Sequence, residues 1–213
     1  MKNLLLLGDS IRDGYGCFVK ARLIGKAHVF YPQDNCRFAQ YTLREVNHWI
    51  AKCPELDVIH WNNGLWDIIH LGLTPIGNDG EAAGLTIKPA NVTGDFVYDK
   101  DPLTPPDMYE LMLNRIVLRL KQLCPKAEIV FATTTPVVEE EASYIYRSNA
   151  EVAQYNDIAR QVMQKHNIRV NELGAFAQTL GKEYRRDWVH YTDEGSDLLA
   201  GEIVDYLQKE NLI

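Results

Sequence analysis

The sequence predicts an α/β protein built on a central parallel sheet of about five strands, with helices on both faces. Three observations predict it. Leu4-Leu5-Leu6-Leu7 is an unbroken apolar run, too short to span a membrane and the right length for a strand buried on both faces. Segments of strand character then alternate with segments whose apolar residues recur every three or four positions, the pattern of βα units. Finally, the first run stops at Gly8-Asp9-Ser10, which places polar side chains at a strand's carboxyl end, where open α/β sheets bind ligands.

After Ser10, Ile11 to Ile24 reads as a short helical or irregular piece loosened by Gly14 and Gly16. Ala27 to Tyr31 is the second strand; Pro32 stops it and opens a polar loop through Arg37. Leu43, Val46 and Ile50 share one helical face, so a helix is expected from Ala39 to Cys53, ended by Pro54. Asp57 to Trp61 is the third strand and runs into Asn62-Asn63-Gly64. Leu71 to Pro106 is long and rich in Gly, Pro, Thr and Asn, which reads as a functional loop or lid with a short strand from Val92 to Tyr98.

Met108, Met112, Ile116, Leu120 and Leu123 mark a helix from Pro106 to Leu123, and Ala127 to Thr133 is the fourth strand. A second loop, Pro136 to Arg147, carries Glu139-Glu140-Glu141, read as a solvated acidic stretch, and Tyr144-Ile145-Tyr146. A helix from Ser148 to His166, a fifth strand from Ile168 to Leu173 and a last helix from Thr192 to about Lys209 complete the chain. No repeat or linker divides it, so one domain is expected over residues 1–213.

Composition narrows the partners. The chain is 46% hydrophobic and 24% charged, ordinary for a globular protein. A net charge of −7 argues against nucleic acid and against anionic membrane surfaces, both of which require a basic face. Lys2 and four leucines do not make a signal peptide. Cys17, Cys36, Cys53 and Cys124 lack any C-x-x-C spacing and read as free thiols, so a cytoplasmic location is expected.

Gly8-Asp9-Ser10 alone is compatible with an ordinary turn or helix cap. Asp187-Trp188-Val189-His190, just ahead of the last helix, changes its meaning. A serine hydroxyl is a poor nucleophile until a base takes its proton and an acidic group orients that base. Asp187, three residues before His190, can hold one ring nitrogen while the other faces Ser10. His28, His48, His70 and His166 have no carboxylate at comparable local spacing, and His60 falls inside a strand, as expected of a hydrogen-bonded core residue.

The two blocks together resemble the GDSL/SGNH hydrolases: Gly8-Asp9-Ser10 near the N-terminus, and Asp187-Trp188-Val189-His190-Tyr191-Thr192, similar to that family's D-x-V-H-x-T, near the C-terminus. The resemblance spans nearly the whole chain. It implies a flavodoxin-like three-layer α/β/α fold and ester hydrolysis through an acyl-enzyme, with Ser10, His190 and Asp187 as nucleophile, base and orienting acid. No metal or organic cofactor is implied.

It also implies three donors for the tetrahedral oxyanion: the nucleophile's backbone N–H, a glycine N–H after the second strand and an asparagine after the third. Ser10 fits the first. Cys36 stands where the glycine is usual, and its backbone N–H can still donate. At the third block Gly64-Leu65-Trp66-Asp67 carries Trp66 in place of asparagine; Asn62, which shares its parity, can substitute, with Asn63 and the Trp66 indole as the alternatives.

Asp9, Asn63, Trp66, Tyr146 and Trp188 are the candidate substrate-binding residues. The aromatic ones, with Trp61, can stack on sugar rings, which favours a short-acyl esterase acting on carbohydrate or other small esters. The alternatives are a lysophospholipase or thioesterase type of acylhydrolase, and a non-catalytic ester- or glycan-binding domain of the same fold.

Overall fold

In the computed structural model, which describes residues 1–73, 86–87, 97–141 and 145–213, the chain opens with β1 (Lys2–Leu7), α1 (Ser10–Arg22), β2 (Ala27–Phe30), α2 (Ala39–Ile50) and β3 (Val58–Trp61). Three short strands follow, β4 (His70–Leu73), β5 (Thr86–Ile87) and β6 (Val97–Asp99), then α3 (Pro106–Leu123) and β7 (Glu128–Ala132). The remainder is β8 (Ile145–Tyr146), α4 (Asn149–Lys165), β9 (Arg169–Asn171), α5 (Leu173–Gln178) and α6 (Asp193–Lys209).

Five strands pair in parallel in the order β2-β1-β3-β7-β9. This is the flavodoxin-like order, whose switch point lies between β1 and β3. Side chains alternate across the sheet. Leu5, Leu7, Ile59, Trp61, Ile129 and Phe131 pack on one face against α2, α3 and α4, whereas Leu4, Leu6, Val58, Val130 and Ala132 pack on the other against α1, α5 and α6. The three expected layers are therefore present. Among the described residues no helix is long and apolar enough to cross a membrane.

The structure departs from the sequence reading in two places and decides a third, where the sequence leaves a helical or an irregular piece open. The piece after Ser10 is a regular helix of 13 residues: Ile11, Tyr15 and Val19 bury one stripe, and that packing outweighs the cost of Gly14 and Gly16. Leu173 starts the short helix α5 rather than ending a strand. The long connection after β3 contributes to a second, antiparallel sheet in the order β5-β6-β4-β8. Of the strand expected from Val92 to Tyr98, residues 92–96 lie outside the described residues, as does Tyr144; the described part falls in β6.

That small sheet is tied to α4 by His70. Its Nδ1 contacts the Asp99 carbonyl and its Nε2 the Glu151 carboxylate, each at 2.6 Å. The carboxylate is 81 residues away in sequence, which is why local spacing did not reveal it. His60 is buried as expected; Asn171 Nδ2 lies 3.4 Å from its Nε2, and burial lowers its pKa to about 4.

Asp67 fixes the turn after β3 to the start of α2: its Oδ1 accepts the Ala39 N–H at 2.9 Å. Burial pushes its pKa up to about 7, against the opposing pull of the Ala39 N–H and Thr104. The folded state thus keeps the Asp67 proton over a window where the unfolded chain has lost it, and stability falls as pH rises through that window. Asp67→Asn keeps the acceptor and is expected to flatten this loss in urea unfolding across the window. Asp67→Ala strands the Ala39 N–H and is expected to cost about 1–3 kcal/mol at any pH.

Candidate active site

β1 ends at Leu7, and the turn that follows needs glycine at Gly8, where a Cβ would lie 2.7 Å from the Arg12 Cβ. The chain turns at once into α1, and Asp9 caps it, its Oδ1 accepting the Ile11 N–H at 3.0 Å. Ser10 is thereby the first residue of the helix. Its N–H belongs to the first turn, whose amides have no carbonyl one turn earlier in the helix.

His190 arrives from the other end of the chain, just before α6, whose cap is Thr192 with its Oγ1 on the Gly195 N–H. The His190 Nε2 lies 2.8 Å from Ser10 Oγ. Its Nδ1 lies 2.8 Å and 3.0 Å from the two Asp187 oxygens. Asp187 Oδ1 also accepts the backbone N–H groups of Val189 and His190, so one carboxylate both shapes the turn and holds the ring. Burial pushes the Asp187 pKa up, but the His190 and Val189 N–H groups and the imidazole outweigh it, and the net shift is downward. With the carboxylate ionised, Nδ1 carries the proton and Nε2 presents its lone pair to the Ser10 hydroxyl.

The loop bearing this pair is braced. The Val138 N–H donates to the Trp188 carbonyl at 2.8 Å. The Arg147 guanidinium stacks 5.2 Å from the centre of the Trp188 ring, and its Nε donates to the Leu65 carbonyl. Arg147 is buried and ties the turn after β3 to the Asp187–His190 loop. No periodicity or motif marked it; it stands at the edge of a loop in sequence.

Two of the expected oxyanion donors are engaged elsewhere. The Cys36 N–H donates to the Gly8 carbonyl at 3.0 Å, and its sulfur accepts the Gly8 N–H at 3.3 Å. Cys36 therefore clamps the β2 loop onto the end of β1, and its backbone N–H is not free for a substrate oxygen. Burial pushes its thiol up to about 12, which keeps the sulfur neutral. Asn62 Nδ2 donates to the Ala132 carbonyl at 2.8 Å, tying β3 to β7. A primary amide has two hydrogens, so one Asn62 N–H remains after this bond.

The candidate substrate-binding residues divide similarly. Asp9 is buried as the helix cap, and burial raises its pKa against the pull of the Ile11 N–H and Arg147. Asn63 is buried between the Trp61 indole, which donates to its Oδ1, and the Arg37 carbonyl, which accepts from its Nδ2. Trp61 is core, packed edge-on against Phe131. Tyr146 packs with His70 and Tyr98 within the small sheet, and Trp66 is half-buried.

A groove of about 440 Å³ that contains Ser10 and His190 is lined instead by α1 and α6 residues with Arg186 and Tyr191. None of Asp9, Asn63, Trp66, Tyr146 or Trp188 lines it. The sequence leaves Ile11 to Ile24 open between helical and irregular, and Ser10, Gly14 and Cys17 share a face only in a helix.

A serine, a histidine and a carboxylate in hydrogen-bonded succession, at the carboxyl end of a parallel sheet, form the constellation of serine hydrolases. The model of the GDSL-like lipase/acylhydrolase family matches residues 77–198, more than half of the chain, and the chain belongs to that family. No curated protein matches it in sequence.

Solved structures do match in fold. The lipase/acylhydrolase from Enterococcus faecalis is 16% identical, with a TM-score of 0.68 over 99% of this chain and 97% of that one. The acetyl xylan esterase AlAXEase is 15% identical, with a TM-score of 0.65 over 96% and 99%. The psychrotrophic esterase EstA from Pseudoalteromonas sp. is 12% identical, with a TM-score of 0.66 over 98% of each chain.

Asp187→Asn leaves an oxygen for the turn but sets an amide beside the ring, which favours the wrong tautomer. Its turnover on an activated ester is expected to fall by about 10⁴-fold, the loss seen for the equivalent change in a serine protease triad, with a circular dichroism spectrum like that of the parent. An activity within a few-fold of the parent would show that Asp187 does not orient the base.

Proposed function

We propose that the protein is a serine esterase that cleaves short-acyl carboxylic esters through an acyl-enzyme, with the whole chain acting as one catalytic domain. The chain of contacts from Asp187 through His190 to Ser10 carries this reading. Ser10 Oγ attacks the acyl carbon as His190 Nε2 takes its proton. The same nitrogen returns that proton to the departing alcohol oxygen. A water, deprotonated by His190, then attacks the acyl-serine; the acid leaves and Ser10 is regenerated.

The Ser10 N–H and the remaining Asn62 N–H are the proposed donors to the oxyanion. Cys36 is omitted because its N–H is bound to Gly8. A non-catalytic ester- or glycan-binding domain would have no use for an imidazole held between a carboxylate and a serine hydroxyl. A lysophospholipase or thioesterase type of acylhydrolase would need a long apolar channel at Ser10, whereas Asp13, Asp193 and Arg186 line the groove there.

Chromogenic esters from acetyl to octanoyl test the reading. Acetyl or propionyl esters are expected to give the highest kcat/KM, and Ser10→Ala to abolish turnover without changing the melting temperature. Rising kcat/KM through octanoyl would favour the long-chain alternative. Asn62→Ala is expected to lower kcat by about 10²- to 10³-fold with KM little changed, the loss typical of one oxyanion donor. An Asn62→Ala enzyme of near-parental kcat would remove Asn62 from the oxyanion site.

A further inference from the structure

The groove beside Ser10 has a composition and a direction, and both bear on which half of the ester it holds. In the esterase reading, on which this inference rests, the leaving oxygen must come within hydrogen-bond reach of His190 Nε2. The alcohol therefore departs on the His190 side of Ser10. The proposed oxyanion donors lie on the other side, toward the sheet, where Asn62 bonds the Ala132 carbonyl of β7. The groove starts at Ser10 and His190 and continues between α1 and α6, on the side where the alcohol must leave.

Its floor follows the face of α1 that carries Ser10. Gly14 is one turn on, and Cys17 is seven residues on, nearly two full turns and about 10 Å along the axis. Gly14 lets α6 approach α1 closely here: a Cβ there would lie 3.0 Å from Ser196 Oγ. Phe18 lies at the far end beside Cys17. The walls carry groups of both kinds, the carboxylates of Asp13 and Asp193 and the guanidinium of Arg186. The carboxylates accept and the Arg186 guanidinium donates, so the groove presents both acceptors and donors; Asp13 also pairs with Arg12 at 2.8 Å. An alkyl chain would cover those polar groups and offer them no hydrogen bond, whereas a polyhydroxylated alcohol can bond both sets while a ring rests on Phe18.

We propose that the α1–α6 groove is the leaving-group subsite, and that it accepts the sugar or other polyol portion of an acylated polyhydroxy compound as far as Cys17. In the acylation step the Ser10 Oγ–acyl carbon bond forms and the acyl carbon–alcohol oxygen bond breaks. The proton from Ser10 passes through His190 Nε2 to the polyol oxygen. Water supplies the hydroxyl for deacylation, so no further reactant is needed.

Cys17 makes the subsite testable. It is exposed, whereas Cys36 and Cys124 are buried and Cys53 is half-buried. The enzyme is treated with a bulky aromatic maleimide or with methyl methanethiosulfonate, and hydrolysis is measured on ethyl acetate and on a partly acetylated trisaccharide that keeps free hydroxyls. The bulky adduct is expected to lower kcat/KM for the acetylated trisaccharide at least about tenfold, a loss in the range that misplacement of a substrate produces, and to leave ethyl acetate within about twofold. The methyl adduct is expected to have a much smaller effect, and in Cys17→Ser the maleimide is expected to change neither substrate.

Equal loss on both esters, or no loss on the acetylated trisaccharide, would overturn the subsite assignment while leaving the esterase reading in place. An untreated enzyme that hydrolyses neither ester would overturn the esterase reading itself, and the subsite with it.

Discussion

The contact between His190 Nε2 and Ser10 Oγ joins residues 180 apart in sequence, and it exists only because α1 and α6 lie side by side on one face of the sheet. Both helices start at the carboxyl edge of that face. Tyr15 and Val19 from α1 and Leu199 and Ile203 from α6 share one buried cluster with Leu4 and Leu6 of β1. Burial of that apolar surface, at roughly 25 cal/mol per Å², sets the helices in place. The two caps, Asp9 and Thr192, then fix where each helix begins. The site is thus a by-product of packing at two helix starts, refined by one carboxylate, Asp187, that holds both a turn and a ring.

The same region shows how structural and chemical needs compete for polar groups. Buried N–H and C=O groups require partners, and the loops after β1, β2 and β3 supply them to one another: Cys36 to Gly8, Asn63 to Arg37, Asp67 to Ala39. Each such bond makes the loops rigid and removes a donor or acceptor from the pool a substrate could use. Ser10 escapes this because it stands in the first turn of a helix, where an N–H has no partner one turn earlier in the helix. Arg147, packed on Trp188 and bonded to Leu65, holds the Asp187–His190 loop to the loop after β3.

The sequence carried the sheet and the Asp187–His190 turn because both depend on local signals: apolar runs, helical periodicity and a three-residue spacing. Those signals also gave α2, α3, α4 and α6 to within a few residues. They failed where tertiary contacts decide. Packing made α1 regular in spite of Gly14 and Gly16. Glu151 found His70 across a gap that no motif spans. Cys36 stands where the family resemblance places a donor and Asn62 is the substitute for a second at Trp66, yet the N–H of one and part of the amide of the other are bonded within the fold. Aromatic residues that suggest substrate platforms serve packing instead: Trp61 is core and Tyr146 belongs to the small sheet, against Tyr98. The groove belongs instead to a helix face interrupted by a glycine.

The most direct measurement is peptide mapping after reaction with a fluorophosphonate, which modifies a serine only when a neighbouring base has activated it. The account predicts one modified residue, Ser10, in the parent enzyme and a large loss of labelling rate in His190→Ala. Modification of a different serine, or labelling of Ser10 at an unchanged rate in His190→Ala, would contradict it.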